Sequence, residues 1–254
     1  MKPLVTATLL MIALSASSQS FREIGMGYTY MSPMGSMQKN VRHGHGFTMD
    51  YYVIPNAGRF GIGAEFNYTI YGYSKTRQLY TFDDGTQADM DITVNNSIST
   101  IMLAARYYLR DAAIFRPYIT VKGGYSWFIT NLNIYDPSDW DNCEPIDEDI
   151  LLKDGTFLAS GGAGFQYDLS GLFKKMRSDF LLMNLSVNLT LGGRVNYMNA
   201  DAPSHAHHPP TNDVTARFIN TQTQVVHEHH VGYVYTSYVE MVDMRAGIVL
   251  RISR

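Results

Sequence analysis

Apolar and polar residues alternate with a period of two along most of the chain. Between 181 and 197, Leu181, Met183, Leu185, Val187, Leu189, Leu191, Val195 and Tyr197 fall on one side, and Asn184, Ser186, Asn188, Thr190, Arg194 and Asn196 on the other. Successive side chains of a β-strand point to opposite faces, so the spacing predicts a strand with one apolar face. The same rule sets Phe60, Ile62, Ala64, Phe66, Tyr68 and Ile70 against Gly61, Gly63, Glu65, Asn67 and Thr69. It recurs over 117–130, with Ile119, Val121, Tyr125, Trp127 and Ile129 on the apolar side, and over 157–169. Weaker alternation at 22–31, 45–54, 97–109 and 238–252 brings the expected number of strands to eight.

The links between these strands alternate in length. Short ones at 55–59, 110–116 and 170–179 separate long polar ones at 32–44, about 74–96, 131–155 and about 198–237. Short turns on one side and long loops on the other, with an even number of long antiparallel strands, are the layout of an outer-membrane barrel. A soluble β-sandwich fits less well, because soluble strands are mostly five or six residues long. A ten-stranded barrel would need two more strands, near 74–82 and from Thr215 to Val226.

The N-terminus adds an address. Lys2, the apolar run Leu4 to Leu14 and the small residues Ala16, Ser17 and Ser18 read as a secretory signal peptide over 1–18, with the barrel domain at 19–254. Composition then narrows the classes. The 254 residues carry 20 basic and 23 acidic side chains, so no basic excess points to nucleic acid. A single cysteine, Cys143, excludes a disulfide within the chain and any cysteine-rich metal cluster.

The Gly–aromatic alternation, the Arg116-Pro117-Tyr118 step at the fifth strand and the closing run Met244-Arg245-Ala246-Gly247-Ile248-Val249-Leu250-Arg251-Ile252 give the chain a wider likeness. It resembles the outer-membrane protein β-barrel domain family, related in architecture to OmpA-like and OmpX-like eight-stranded barrels. The resemblance implies an all-β, up-and-down antiparallel transmembrane barrel in the outer membrane of a Gram-negative bacterium, with membrane lipid as its surroundings.

If the apolar faces meet lipid, the opposite faces point into the barrel. The charges expected there are Glu23, Asp50, Glu65, Arg106, Lys122, Asp168, Arg194, Asp243, Arg245 and Arg251. Eight strands enclose just enough room for side chains to fill. Charges in such a space must be paired and hydrogen-bonded, so they are expected to plug the lumen. The function then falls to the loops, and the first reading is a non-enzymatic structural or adhesive scaffold with an unidentified surface ligand.

The alternatives rest on loop chemistry. All eight histidines lie in or beside the first and last long loops: His43 and His45, then His205, His207, His208, His227, His229 and His230. Met34 and Met37 share the first loop with Met31, which equally fits the lipid-facing side of the first strand. Thioether with imidazole suits copper, and imidazole alone suits zinc, so a Cu or Zn site between neighbouring loops is the second reading. His227-Glu228-x-His230 lacks the four-residue spacing of a zinc protease helix. The acidic third loop, around Trp140 and Cys143, lacks the calcium-loop spacing. An enzyme acting on lipid A or on peptides is the third reading, and Asp201, Ser204 and His205 are the group that could be drawn for it, with no nucleophile elbow beside them.

Overall fold

The computed structural model of the protein describes residues 20–55, 58–81, 86–110, 114–137, 145–173, 177–200, 212–219 and 226–253. Its strands are β1 (Phe21–Pro33), β2 (Gly44–Ile54), β3 (Phe60–Thr81), β4 (Gln87–Tyr108), β5 (Phe115–Tyr135), β6 (Asp147–Asp168), β7 (Leu181–Met198), β8 (Asn212–Ile219) and β9 (Val226–Ser253). Pairing is antiparallel throughout, in the order β1-β2-β3-β4-β5-β6-β7-β9, and β9 returns to β1 from Phe21↔Ser253 to Pro33↔Met241. Closure leaves no exposed edge at membrane depth, which is what hydrocarbon demands of a spanning sheet. The result is a closed eight-stranded barrel.

β8 is not a ninth stave. Val234 pairs with Met198 of β7 on one side and with Asn212 of β8 on the other, so β8 is an appended hairpin partner above the end of β1. The run near 74–82 likewise adds no stave, since through Thr81 it continues β3. These two segments are the pair a ten-stranded barrel would have needed.

The long links expected at 74–96 and 131–155 are corrected by the structure. β3 and β4 stay paired from Phe60↔Tyr107 to Thr81↔Gln87, and β5 and β6 from Phe115↔Tyr167 to Ile134↔Asp147. The reason lies in residues that continue the inner-face alternation: Met90, Ile92 and Val94 on β4 and Leu132 and Ile134 on β5 form one buried cluster. Twenty-two residues of strand measure about 70 Å, or about 55 Å along the membrane normal at a 40° tilt, against an apolar band of about 25 Å. Both hairpins therefore stand well clear of the membrane.

The outer surface is apolar where a soluble protein would be polar. Phe157 is 77% exposed, Leu103 72% and Val121 64%, with Ile24, Met26, Ile101, Leu189 and Ile248 exposed beside them. A continuous apolar belt of that size needs lipid around it.

Candidate functional site

The lumen is built in layers. At the end that carries the short turns, Ile54, Tyr108 and Tyr118 pack with Phe21. Above them lie the charges, on strands whose inward positions are set by unbroken alternation. Glu23 is fully buried and accepts hydrogen bonds from Tyr108 Oη at 2.7 Å and Gln166 Nε2 at 2.8 Å, with Arg106 and Arg251 each at 3.4 Å. Glu65 accepts from Tyr52 Oη at 2.6 Å, from Lys122 Nζ at 2.6 Å and from Arg245, and Arg106 lies 4.0 Å away. Arg106 is thereby shared between the two carboxylates, and its guanidinium stands 3.9 Å from the Tyr52 ring and 4.3 Å from the Tyr118 ring. Asp50 and Asp243 are buried as well, and Asp243 accepts a hydrogen bond from Thr190 at 2.9 Å.

Two expected lumen charges are placed elsewhere. Arg194 is exposed on the outer face. The register of β7 on β9 shifts between Leu191 and Arg194, so the Gly192-Gly193 bulge reverses the alternation. Val195 and Tyr197, expected on the lipid side, are consequently buried inside. Asp168 is only half-buried, and its carboxylate serves the turn after β6, accepting from the backbone of Ser170 and Asp179 and the hydroxyl of Ser178. Conversely, one interior charge had no place in the sequence reading: Arg116 is 2% exposed and pairs with Asp179 in that turn. Continuing the alternation of β5 down from Tyr118 would have found it. Gln166, on the polar face that alternation gives the 157–169 strand, is fully buried on Glu23.

Above the charges comes a tier of small polar groups, with Thr100 and Ser126 3.0 Å apart and Thr190 and Ser160 likewise 3.0 Å apart. The far mouth is then closed by an apolar cluster of Met31, Met37, Val41, Tyr71, Ile98, Met102, Phe128, Leu158, Val195, Tyr197, Val239 and Met241. The first loop folds into this mouth. Met37 and Val41 are fully buried, Asn40 Nδ2 donates to Tyr197 Oη at 3.2 Å, and Asn199 donates to the Asn40 carbonyl. A tethered loop over a charge-filled lumen makes the barrel a solid post.

The metal-ligand candidates are dispersed by this arrangement. Met31 points inward, on the opposite parity from the lipid-facing Met26 and Tyr28, and Met37 is in the plug, whereas Met34 is exposed. His43 and His45 are on the outer face, each with Nδ1 bonded to a tyrosine hydroxyl, Tyr30 and Tyr28 respectively. They line an open cavity of about 480 Å³ with Arg42, Ile70, Tyr73 and Asn199. His227, His229 and His230 are on the β9 backbone, opposite Phe218, Ala216 and Thr215, with side chains outside the described residues. His205, His207 and His208, the Asp201–Ser204–His205 group, Cys143 and the 1–18 segment all lie outside the described residues.

On the projecting hairpins the outer face is polar. Asp91 accepts from Lys75 Nζ and Arg77 Nε, both at 2.9 Å, and hydrogen bonds from Arg77 and then Lys75 hold its carboxyl below the usual carboxylate range.

An apolar belt, a closed sheet and a filled lumen define a transmembrane barrel of the outer-membrane type. The match to a family agrees: residues 4–236 fit the model described as "Outer membrane protein beta-barrel domain", and the chain belongs to that family of bacterial outer-membrane proteins. No curated protein matches the chain. Among solved structures it is similar to Neisserial surface protein A, at 7% identity and a TM-score of 0.41, covering 91% of this chain and 96% of that one. It is also similar to Ail, the attachment invasion locus protein of Yersinia pestis, in complex with the heparin analogue sucrose octasulfate, at 10% identity and a TM-score of 0.39, covering 93% and 99%. The outer membrane protease OmpT of Escherichia coli follows at 9% identity and a TM-score of 0.30, covering 93% and 98%.

Proposed function

We propose that the protein is a non-enzymatic anchor of a Gram-negative outer membrane that presents its two long hairpins, β3–β4 and β5–β6, as a binding surface for a partner outside the cell. The observation that carries this reading is the continuation of paired strand to Thr81↔Gln87 and Ile134↔Asp147, far beyond the apolar belt, on a barrel whose lumen is filled. A rigid hairpin presents a surface with little ordering cost on binding, which a flexible loop does not. Cells displaying the full chain should adhere to an epithelial monolayer, and cells displaying a barrel trimmed of 74–93 and 132–149 should not. Equal adhesion by the trimmed barrel, at equal surface amount, would remove the hairpins from the account.

A second reading, copper or zinc binding, is favoured by one feature: His43 and His45 open outward, two residues apart on one face of the chain, onto the same cavity. Imidazole ligands are lost on protonation, so such binding weakens as pH falls. Zinc titration of the refolded protein at neutral pH, before and after H43A/H45A, tests it. Unchanged binding in the double variant would refute a site at these two residues.

A further inference from the structure

We propose that the outer face of the projecting β3–β6 sheet is a docking surface for an uncharged oligosaccharide carried by the partner outside the cell. The inference rests on the hairpins being the binding surface and names the chemistry of what they bind.

The register stacks one polar rung above another. Asn95 of β4 pairs with Tyr73 of β3 on one side and with Asn131 of β5 on the other, and Asn131 pairs in turn with Ile150 of β6. One rung higher, Thr93 lies between Lys75 and Asn133. Successive side chains of a strand face opposite ways. Val94 and Leu132 are buried in the cluster on the inner side, so Asn95, Asn131 and Asn133 share the outer face. Asn131 is four residues beyond Trp127, about 13 Å along the strand, and Trp127 and Tyr68, on either side of Ser99, mark the aromatic rim of the apolar belt. The patch therefore stands in water.

Nothing in the fold calls for asparagine at these positions. Strands favour β-branched and aromatic residues and are poor in asparagine. None of the three amides hydrogen-bonds among the described residues, and Asn95 Oδ1 has no donor although it is shielded from solvent. Each amide offers two donors and a carbonyl acceptor, so the face carries polar capacity that the fold leaves unused. Strand geometry sets these residues about 5 Å apart across β4 and β5 and about 7 Å apart along β5, within the compass of a short oligosaccharide.

The chemistry of the face selects its ligand. A sugar presents neighbouring hydroxyls, each a donor and an acceptor, that suit a row of amides, and an apolar C–H face that lies on an aromatic ring or an aliphatic side chain. Tyr73 at 52% exposure and Ile150 at 56% flank the amides on either side. Charge gives an acidic ligand no advantage, because Lys75, Arg77 and Lys153 on this face are balanced by Asp89, Asp91 and Glu148. Asp91 moreover already holds Lys75 and Arg77.

The test places the full barrel, in phosphatidylcholine nanodiscs free of lipopolysaccharide, on an array of neutral, sialylated and sulfated oligosaccharides, and then follows adhesion of cells displaying the full chain. The wild type should capture neutral glycans. One neutral hydrogen bond is worth about fivefold in binding, so N131T/N133T, which puts good strand formers at both positions, should lower capture about 25-fold. R22A, at the opposite rim, should leave it unchanged. Periodate, which cleaves the vicinal diols of sugars, should abolish adhesion to an epithelial monolayer, and sialidase or heparinase, which remove acidic sugars, should not. Capture of no neutral glycan, preference for the sialylated or sulfated ones, or unchanged capture by a double variant with folded-barrel gel mobility would overturn the site. Competition by lipopolysaccharide from the cell's own outer leaflet would overturn the assignment to an outside partner. Adhesion that needs the hairpins yet survives both periodate and the double variant would overturn the sugar and leave the hairpin surface standing, whereas adhesion by the trimmed barrel removes the surface itself.

Discussion

Removal of the Glu65 carboxylate should be the most damaging single change in the lumen. Glu65 is 4% exposed and, among the described residues, is the only carboxylate bonded to Lys122 and to Arg245, while Tyr52 donates to its other oxygen and Arg106 lies 4.0 Å off. Glu65→Ala therefore leaves three buried cations with one ion-pairing carboxylate among them, Glu23, which reaches only Arg106. Breaking a buried pair in this way costs about 3–5 kcal/mol. Lys122→Met removes just one of the donors to Glu65, and the loss of one hydrogen bond to a charged group costs about 1.5–3 kcal/mol. Urea unfolding of the barrel in phosphatidylcholine vesicles, followed by tryptophan fluorescence and by the mobility difference between unheated and boiled samples, measures both. The expected order is wild type, then Lys122→Met, then Glu65→Ala. A Glu65→Ala barrel within about 1 kcal/mol of wild type would refute a paired lumen.

Three further expectations follow from other parts of the molecule. The apolar mouth cluster and the charge layer beneath it should hold wild-type conductance in planar bilayers at background, and steady large openings would contradict a filled lumen. Deleting Gly193 should remove the one extra residue of the bulge, so that two steps on β7 oppose two on β9 and simple alternation keeps Arg194 outside and Tyr197 inside; the variant should still acquire heat-modifiable mobility, and failure to fold would refute the role given to the bulge. At the hairpin, the Asp91 carboxyl is held below its usual 3.8 by Arg77 and Lys75, so its contribution is present above that value and is lost as pH falls through the lowered one. Protection of the amides in 74–80 and 88–93, taken relative to the intrinsic exchange rate at each pH, should fall on acidification below about pH 4 in wild type and show no such step in D91N.

How far the sequence revealed this structure depends on whether alternation runs unbroken. Through Glu65 on β3 and Lys122 on β5 it does, and each face can be read directly. At Gly192-Gly193 it fails, because two residues without side chains carry no sign of which face they occupy, and everything beyond them is read on the wrong side. The hairpin extensions were legible but masked by their polar outer face: Met90, Ile92 and Val94 alternate with Asp89, Asp91 and Thr93 as regularly as any stave. Burial of Met37 could not be read from sequence, since it depends on a loop folding back against Tyr197 and Asn199, about 160 positions away in the chain.

The most direct test is a spin-label scan along β7, one label at a time from 183 to 198 in a C143S background, with collision rates for oxygen and for a water-soluble nickel complex in vesicles. The account predicts oxygen-accessible, lipid-exposed labels at 183, 185, 187, 189 and 191, shielded labels between them, and an inversion across 192–193 that exposes 194 and shields 195 and 197. Labels accessible to nickel along the whole segment, or a period of two that passes through 192–193 without inversion, would contradict a lipid-embedded barrel with this bulge.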